Sequence, residues 1–215
     1  MQYNNRSLWS SIMPVTKHLL IINVIMWLAT LVLLQTGMVD LRQWLGLHYW
    51  QLSEFNIAQP FTHMFIHGSW THIFLNMFQL WMFGSLLERV MGSKRFLFYY
   101  ISCGLGAAIC QELVWQFTMQ GIYIPVVGAS GAIFGILVAF GLIFPNLSLY
   151  IIPIPFPVKA KWVVLAFGLI ELWWGITGTF DGIAHFAHLG GMIAGIIMVL
   201  YWKHNGTLTR GNGFY

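Results

Sequence analysis

The fold is decided by the run SGAIFGILVAFGLIF, residues 130–144, which is apolar throughout and ends just before Pro145. The run is continuous and lacks a period of two, so it predicts a helix rather than a barrel strand. A helix over 130–144 rises about 22 Å, less than the roughly 30 Å of hydrocarbon in a bilayer. Its first residues must therefore lie inside the protein, where protein or a water-filled cavity surrounds them.

Apolar runs of this kind recur on both sides of residues 130–144. The 215-residue chain is 58% hydrophobic and 7% charged, with a mean hydropathy of +0.73. Soluble domains carry about 25% charged residues. We therefore expect an all-α membrane protein: one domain over residues 1–215, built as a six-helix bundle with a short central fourth helix and a large outer loop between the first two helices. The predicted spans are 19–37, 72–88, 96–116, 130–144, 162–178 and 183–202.

The basic residues predict the orientation. With six spans, both termini lie on one side, and of the ten Lys and Arg only Arg42 falls on the other side. Basic residues favour the cytoplasmic side, so we expect cytoplasmic termini. This topology accounts for the pI of 9.2 without a nucleic-acid partner. The basic residues are Arg6, Lys17, Arg42, Arg89, Lys94, Arg95, Lys159, Lys161, Lys203 and Arg210.

The first span sets the expected compartment. It is too long for a signal peptide and lacks a small-residue cleavage site, so no cleavage is expected. Six spans without a transit peptide favour a bacterial inner membrane. Cys103 and Cys110 lie about 10 Å apart along one predicted helix, too far to bridge, and are expected to be reduced. The outer segment 41–52, LRQWLGLHYWQL, reads as amphipathic and interfacial.

Four polar side chains are predicted to lie at a common depth. Counted from the cytoplasmic helix ends, Ser130 and His188 lie about 22 Å up, Asn76 about 20 Å and His72 about 26 Å. Polar groups in a membrane are costly, so their coincidence near the outer third of the bilayer indicates a site. The start of the fourth helix adds free backbone N–H groups that suit an oxyanion.

Glycines predict close contact between the fourth and sixth helices. Gly191 and Gly195 form a small-residue row on the face that carries His188, and Gly131 and Gly135 lie on the fourth helix. Close backbones would bring the Ser130 hydroxyl within hydrogen-bond reach of an imidazole base. Taken singly, a G-x-S-G motif is more often packing, and an intramembrane Asn is often structural.

These residues resemble a known family. FTHMFIHGSWTHIFLN, GSLLERVMGS, GASG and AHLGGMIAG, spread over about residues 58–202, are similar to the rhomboid intramembrane serine proteases. The resemblance implies a dyad of Ser130 and His188 without a third carboxylate. It also implies that His72, Asn76 and the Ser130 amide stabilise the oxyanion. The implied substrates are transmembrane helices of membrane proteins, cleaved near their outer ends at small residues.

The chain departs from that family at two places. Gln59-Pro60 stands near the position where well-known members carry Trp-Arg, which puts the anchoring of the outer loop in doubt. Phe134 replaces a tyrosine that stacks on the histidine. Without a carboxylate, His188 would be oriented by packing alone, which predicts a slow enzyme. Glu171 and Glu112, near the outer ends of spans five and three, are read as structural or as lining a wet cavity.

Two other functions remain open. His185 and His188, at i and i+3, could ligate a metal, but the sequence has no H-E-x-x-H motif and no clear carboxylate at that depth. We therefore expect no metal or cofactor, with His185 structural. Alternatively, the chain could be a non-catalytic rhomboid-like protein that binds membrane helices, although the presence of both Ser130 and His188 argues against it. The oligomeric state is left open.

Overall fold

A computed structural model describes residues 12–119, 123–151, 155–178 and 184–208. Most of the regular structure within these ranges is helical. The helices are α1 (Pro14–Gln35), α2 (Leu41–Leu45), α3 (Gln59–Thr62), α4 (Trp70–Gln79), α5 (Ser85–Met91), α6 (Ser93–Thr118), α7 (Ser130–Ile143), α8 (Ala160–Thr177) and α9 (His185–His204). A 3₁₀ turn, His63–Phe65, follows α3, and a π turn, Leu80–Gly84, joins α4 to α5.

The long helices lie where the sequence predicts membrane spans. Helices α1, α6, α8 and α9 are each long and apolar enough to cross a membrane. The run from α4 to α5 contains the predicted second span, and α7 is the predicted short fourth helix. The chain is therefore an all-α membrane bundle. The count of six spans and the single domain over 1–215 stay predictions, and the predicted start of the sixth span at residue 183 falls outside the described ranges.

Helix α7 is the buried centre of the bundle. Ten of its 14 residues are buried, and α6, α8 and α9 pack around it. A helix too short to cross the hydrocarbon needs protein or a protein-enclosed cavity around the end that stops inside the membrane. The shortness of α7 therefore fits its burial at the centre of the bundle.

The glycines bring α7 and α9 into backbone contact, as the sequence predicted. A Cβ atom built at Gly191 would overlap the carbonyl oxygen of Gly131. One turn further, a Cβ at Gly195 would lie 3.2 Å from the Gly135 carbonyl oxygen, and Tyr99 of α6 donates to that same oxygen at 2.6 Å. Small residues at both contacts allow this approach. The start of α7 is thereby held against the first turns of α9.

Glu88 of α5 holds the start of α1. Its carboxylate accepts hydrogen bonds from the backbone N–H groups of Val15 and Thr16 at 2.9 and 2.7 Å, and from the hydroxyls of Thr16 and Ser93. The first N–H groups of a helix have no intrahelical partner, so a carboxylate at this position accepts their hydrogen bonds. Its negative charge also interacts favourably with the positive end of the helix dipole. Glu88 therefore joins three helices from a buried position.

The outer loop is folded against the bundle. The expected amphipathic segment 41–52 is helical only in α2, and Leu47 and Tyr49 are buried against Trp115 of α6. The segment is two-sided, because Leu47 and Tyr49 pack inward on protein while Trp44 and Trp50 are 70% and 52% exposed. Its interfacial position stays a prediction. A backbone bridge between Leu47 and Val126 ties the loop to the segment before α7.

Gln59 anchors this loop from the position that was in doubt. Its side chain is 1% exposed, accepts from the backbone N–H of His48, and donates to the carbonyls of Trp44 and Glu54. A buried amide that satisfies three backbone groups can replace the expected Trp-Arg pair as an anchor.

A short β-hairpin links α7 to α8. Strands β1 (Ser148–Leu149) and β2 (Val158–Lys159) pair antiparallel, with Ser148 opposite Lys159. Two residues per strand are too few to produce a readable alternation, which is why the pairing was missed.

Candidate active site

The segment before α7 delivers Ser130 to the start of the helix. Gly128 has a φ of +126°, and a Cβ atom at this position would lie 2.5 Å from Nε2 of His72. Its N–H donates to the carbonyl of His63 at 2.9 Å. Glycine is required here both for the backbone conformation and for the close approach of the imidazole. Ser130 then takes the first helical position of α7.

Ser130 and His188 are in hydrogen-bond contact. The Ser130 Oγ atom lies 2.8 Å from Nε2 of His188, a separation that the spacing of α7 and α9 permits. The Phe134 ring, one turn below Ser130, stacks on the imidazole with ring centroids 4.4 Å apart and planes 11° apart. The predicted ring at this position thus fixes one face of His188, while Oγ fixes one nitrogen. The pair has the geometry of a nucleophile and its base.

His72 and Asn76 lie on the cavity that contains this pair. The cavity has a volume of about 710 Å³, and its lining includes all four predicted site residues. Asn76 is 4% exposed, and its Nδ2 atom has no hydrogen-bond partner within the described ranges. A buried amide donor without a protein partner is costly unless a ligand or a water molecule in the cavity accepts from it. The structure therefore brings together Ser130, His188, His72 and Asn76 in one place.

Two loop histidines keep the surroundings of His72 uncharged. Burial lowers the pKa of His63 to about 4 and the pKa of His67 to about 3. Both are therefore neutral at neutral pH. The His67 ring contacts the His72 ring edge to face, with centroids 5.0 Å apart.

Glu171 of α8 contacts His188, a contact that the sequence does not predict. Its Oε2 atom lies 2.9 Å from Nδ1 of His188 and 2.7 Å from Nδ1 of His185. All three side chains are buried. The expectations of no carboxylate at this depth, and of a His188 oriented by packing alone, are therefore wrong. The sequence could not give the rotation of α8 about its axis, and that rotation determines which way Glu171 points.

The same cluster bears on the metal hypothesis. Ligand atoms of Glu171, His185 and His188 all lie within 4.8 Å of one another, and two histidines with one glutamate are a known zinc ligand set. The distances of 2.7 and 2.9 Å are those of hydrogen bonds, and His188 uses its other nitrogen on Ser130. The contacts therefore describe a hydrogen-bonded chain from Ser130 to His185.

The fold and this site define a multi-pass membrane protein with a serine–histidine pair at a buried helix start. A family model of the rhomboid domain matches residues 54–204, more than half of the chain. The chain belongs to the rhomboid family.

Several curated proteins are similar to this chain. Rhomboid protein 1, mitochondrial, of Saccharomyces cerevisiae is 30% identical over 143 residues, which cover 64% of this chain and 39% of the yeast protein. The human presenilin-associated rhomboid-like protein, mitochondrial, is 34% identical over 68% of this chain and 39% of its own length. Rhomboid protease AarA of Providencia stuartii is 32% identical over 63% and 52%. The chain thus matches between about two fifths and half of each relative.

The relatives do not support the predicted bacterial inner membrane. Two of the three are named as mitochondrial and one comes from a bacterium, so similarity does not select a compartment. The cytoplasmic orientation of the termini likewise stays a prediction. Two of the basic residues behind it, Arg6 and Arg210, lie outside the described ranges.

Proposed function

We propose that this chain is an intramembrane serine endopeptidase that cleaves transmembrane segments of membrane proteins near their outer ends. The observation that carries the proposal is the 2.8 Å contact between Ser130 Oγ and His188 Nε2 inside a membrane bundle. Membership of the rhomboid family and similarity to a protein named a rhomboid protease support it further.

The proposed reaction begins at Ser130. Its Oγ attacks the scissile carbonyl as His188 Nε2 takes the hydroxyl proton, and His188 then gives that proton to the leaving amine. Water, activated by the same imidazole, hydrolyses the acyl-enzyme and restores the Ser130 hydroxyl. The cavity of about 710 Å³ offers room for an extended peptide segment beside the pair. Trp173, 66% exposed near the outer end of α8, suits a substrate that enters sideways from the lipid.

The proposed oxyanion donors are the Ser130 amide, His72 and Asn76. The unpartnered Nδ2 of Asn76 and the position of His72 beside Gly128 support this role. These donors act on charge that develops in the transition state, so they should affect kcat more than KM.

Alanine at either donor position should reduce turnover strongly. We expect His72→Ala and Asn76→Ala each to lower kcat by about 10²- to 10³-fold with little change in KM. The measurement is steady-state cleavage of a transmembrane test substrate in proteoliposomes. Asn23→Ala provides the control, because Asn23 is a buried asparagine of α1 whose amide bonds to Leu19 of its own helix. If Asn76→Ala has the kcat of the wild type, Asn76 does not stabilise the oxyanion.

A non-catalytic role in binding membrane helices is the alternative. It predicts substrate binding without turnover and without labelling of Ser130 by a fluorophosphonate. The enzyme proposal predicts both turnover and labelling in the same preparation.

The metal alternative has its own test. We expect EDTA or 1,10-phenanthroline, applied during purification and assay, to leave the cleavage rate unchanged, because the proposed base acts without a metal. Adding zinc after the chelator should likewise leave the cleavage rate unchanged. Loss of cleavage in chelator, reversed by zinc, would instead support a metalloprotease built on Glu171, His185 and His188.

A further inference from the structure

Glu171 has an unusual environment for a membrane glutamate. It lies on the predicted fifth span, is 7% exposed, and its Oε2 atom meets two imidazole nitrogens. A carboxylate at such a place is costly, and it persists where paired groups satisfy it. The donors and acceptors at these two contacts determine which ring nitrogen of His188 carries the proton.

The contact with His188 selects one tautomer. An ionised carboxylate only accepts hydrogen bonds, so Nδ1 of a neutral His188 must carry the proton that it donates over 2.9 Å. Nε2 is then unprotonated and accepts the Ser130 hydroxyl over 2.8 Å. This is the tautomer that a base needs. In the opposite tautomer Nε2 would carry a hydrogen and could not take the serine proton.

His185 fixes the carboxylate itself. Its Nδ1 donates to the same Oε2 atom over 2.7 Å, so the oxygen that His188 contacts is held by two donors from one helix. The two histidines are three positions apart on α9 and so lie on one face. The His185 ring packs near Trp174 of α8, with centroids 5.7 Å apart. Its other nitrogen, Nε2, is buried and makes no hydrogen bond to the described residues.

The same geometry favours the charge that forms during attack. When His188 takes the serine proton it becomes an imidazolium, 2.9 Å from an oxygen of Glu171. An opposite charge at this distance, away from bulk water, stabilises that cation far more than in solution. His72 of α4 also lies near enough to His188 to interact with it electrostatically. Within the described ranges, the titratable groups around His188 are therefore His72, Glu171 of α8 and His185 of α9.

We propose that Glu171 is a positioning residue that completes a Ser130–His188–Glu171 triad, with His185 as the second donor that holds its carboxylate. The proposal rests on the proposed function, since it concerns the base of that reaction. Glu171 touches no substrate and acts through His188. The proposed triad of Ser130, His188 and Glu171 takes the place of the dyad that the resemblance implies.

The test uses Glu171→Gln in the full-length protein. The amide keeps the size of the side chain, but its NH₂ group can donate to Nδ1 and so favour the wrong tautomer of His188. We expect kcat to fall by about 10²- to 10⁴-fold with KM nearly unchanged. Glu112→Gln of α6 is the matched control, because its oxygen can still accept from the Trp50 N–H and it lies outside the proposed triad.

A spectroscopic readout separates positioning from simple support of the fold. In wild-type protein labelled with ¹⁵N-histidine, the His188 resonances, assigned by their loss in His188→Gln, should show a proton on Nδ1 and none on Nε2. In Glu171→Gln they should shift towards the opposite tautomer. If Glu171→Gln does not fold, the wild-type spectrum alone still tests the proposal, because it shows which nitrogen of His188 carries the proton. A wild-type His188 protonated on Nε2, or a folded Glu171→Gln with wild-type kcat, would overturn the inference. If wild-type protein shows no cleavage that depends on Ser130, the proposed function itself is refuted.

Discussion

Replacing Ser130 with alanine should abolish cleavage of a transmembrane substrate. The change removes the proposed nucleophile but only one small polar atom, so the bundle should stay folded. Because nucleophile and base act as a unit, we expect the rate to fall by at least about 10⁴-fold. Cleavage of a fluorescent transmembrane substrate in proteoliposomes measures this directly.

The matched control is Ser102→Ala. Ser102 lies on α6 and is partly buried, as Ser130 is, but it does not line the cavity. We expect this variant to cleave at close to the wild-type rate. If Ser130→Ala cleaves as fast as Ser102→Ala, the proposed mechanism is wrong, whatever the geometry of the site.

The second large effect is expected at Gly191. An alanine methyl group there would overlap the Gly131 carbonyl oxygen, a backbone atom that cannot rotate away. Helices α7 and α9 would have to separate beside the Ser130–His188 contact. Overpacking of this kind costs roughly 1–3 kcal/mol in unfolding free energy. A misplacement of about 1 Å at reacting groups can cost about 10²-fold in rate. Both losses should appear in Gly191→Ala.

Gly168→Ala separates this close approach from a general effect of glycine replacement. Gly168 lies on α8, and the new methyl group would meet the end of the Met192 side chain at 3.1 Å. A flexible thioether can move aside, so stability and rate should stay near those of the wild type. Thermal unfolding in detergent and the cleavage assay measure both variants. Equal behaviour of Gly191→Ala and Gly168→Ala would show that the helix contact does not position the site.

The sequence was most informative where its signals are local. The short apolar run predicted a buried α7 that begins at Ser130, and the glycine rows predicted its contact with α9. His72 and Asn76 are four positions apart, a spacing that places them on one face of a helix. Each of these inferences needs only helical periodicity and the length of a span.

The sequence was least informative where contacts join elements far apart in the chain. Glu171 and His188 are 17 residues apart on different helices, and only the packing of α8 against α9 makes them neighbours. A signal was present, since an intramembrane carboxylate needs a partner and His185 lies three positions before His188. The anchoring by Gln59 depends on three backbone groups of a folded loop, for which a sequence has no periodic signal.

Mapping the adduct of a fluorophosphonate probe tests the Ser130–His188 pair most directly. The probe needs an activated serine, and mass spectrometry identifies which residue it modifies. We predict a single adduct, on the Ser130 hydroxyl, in wild-type protein and none in folded His188→Ala. An unmodified Ser130 in protein that still cleaves its substrate, or undiminished labelling in His188→Ala, would contradict the account.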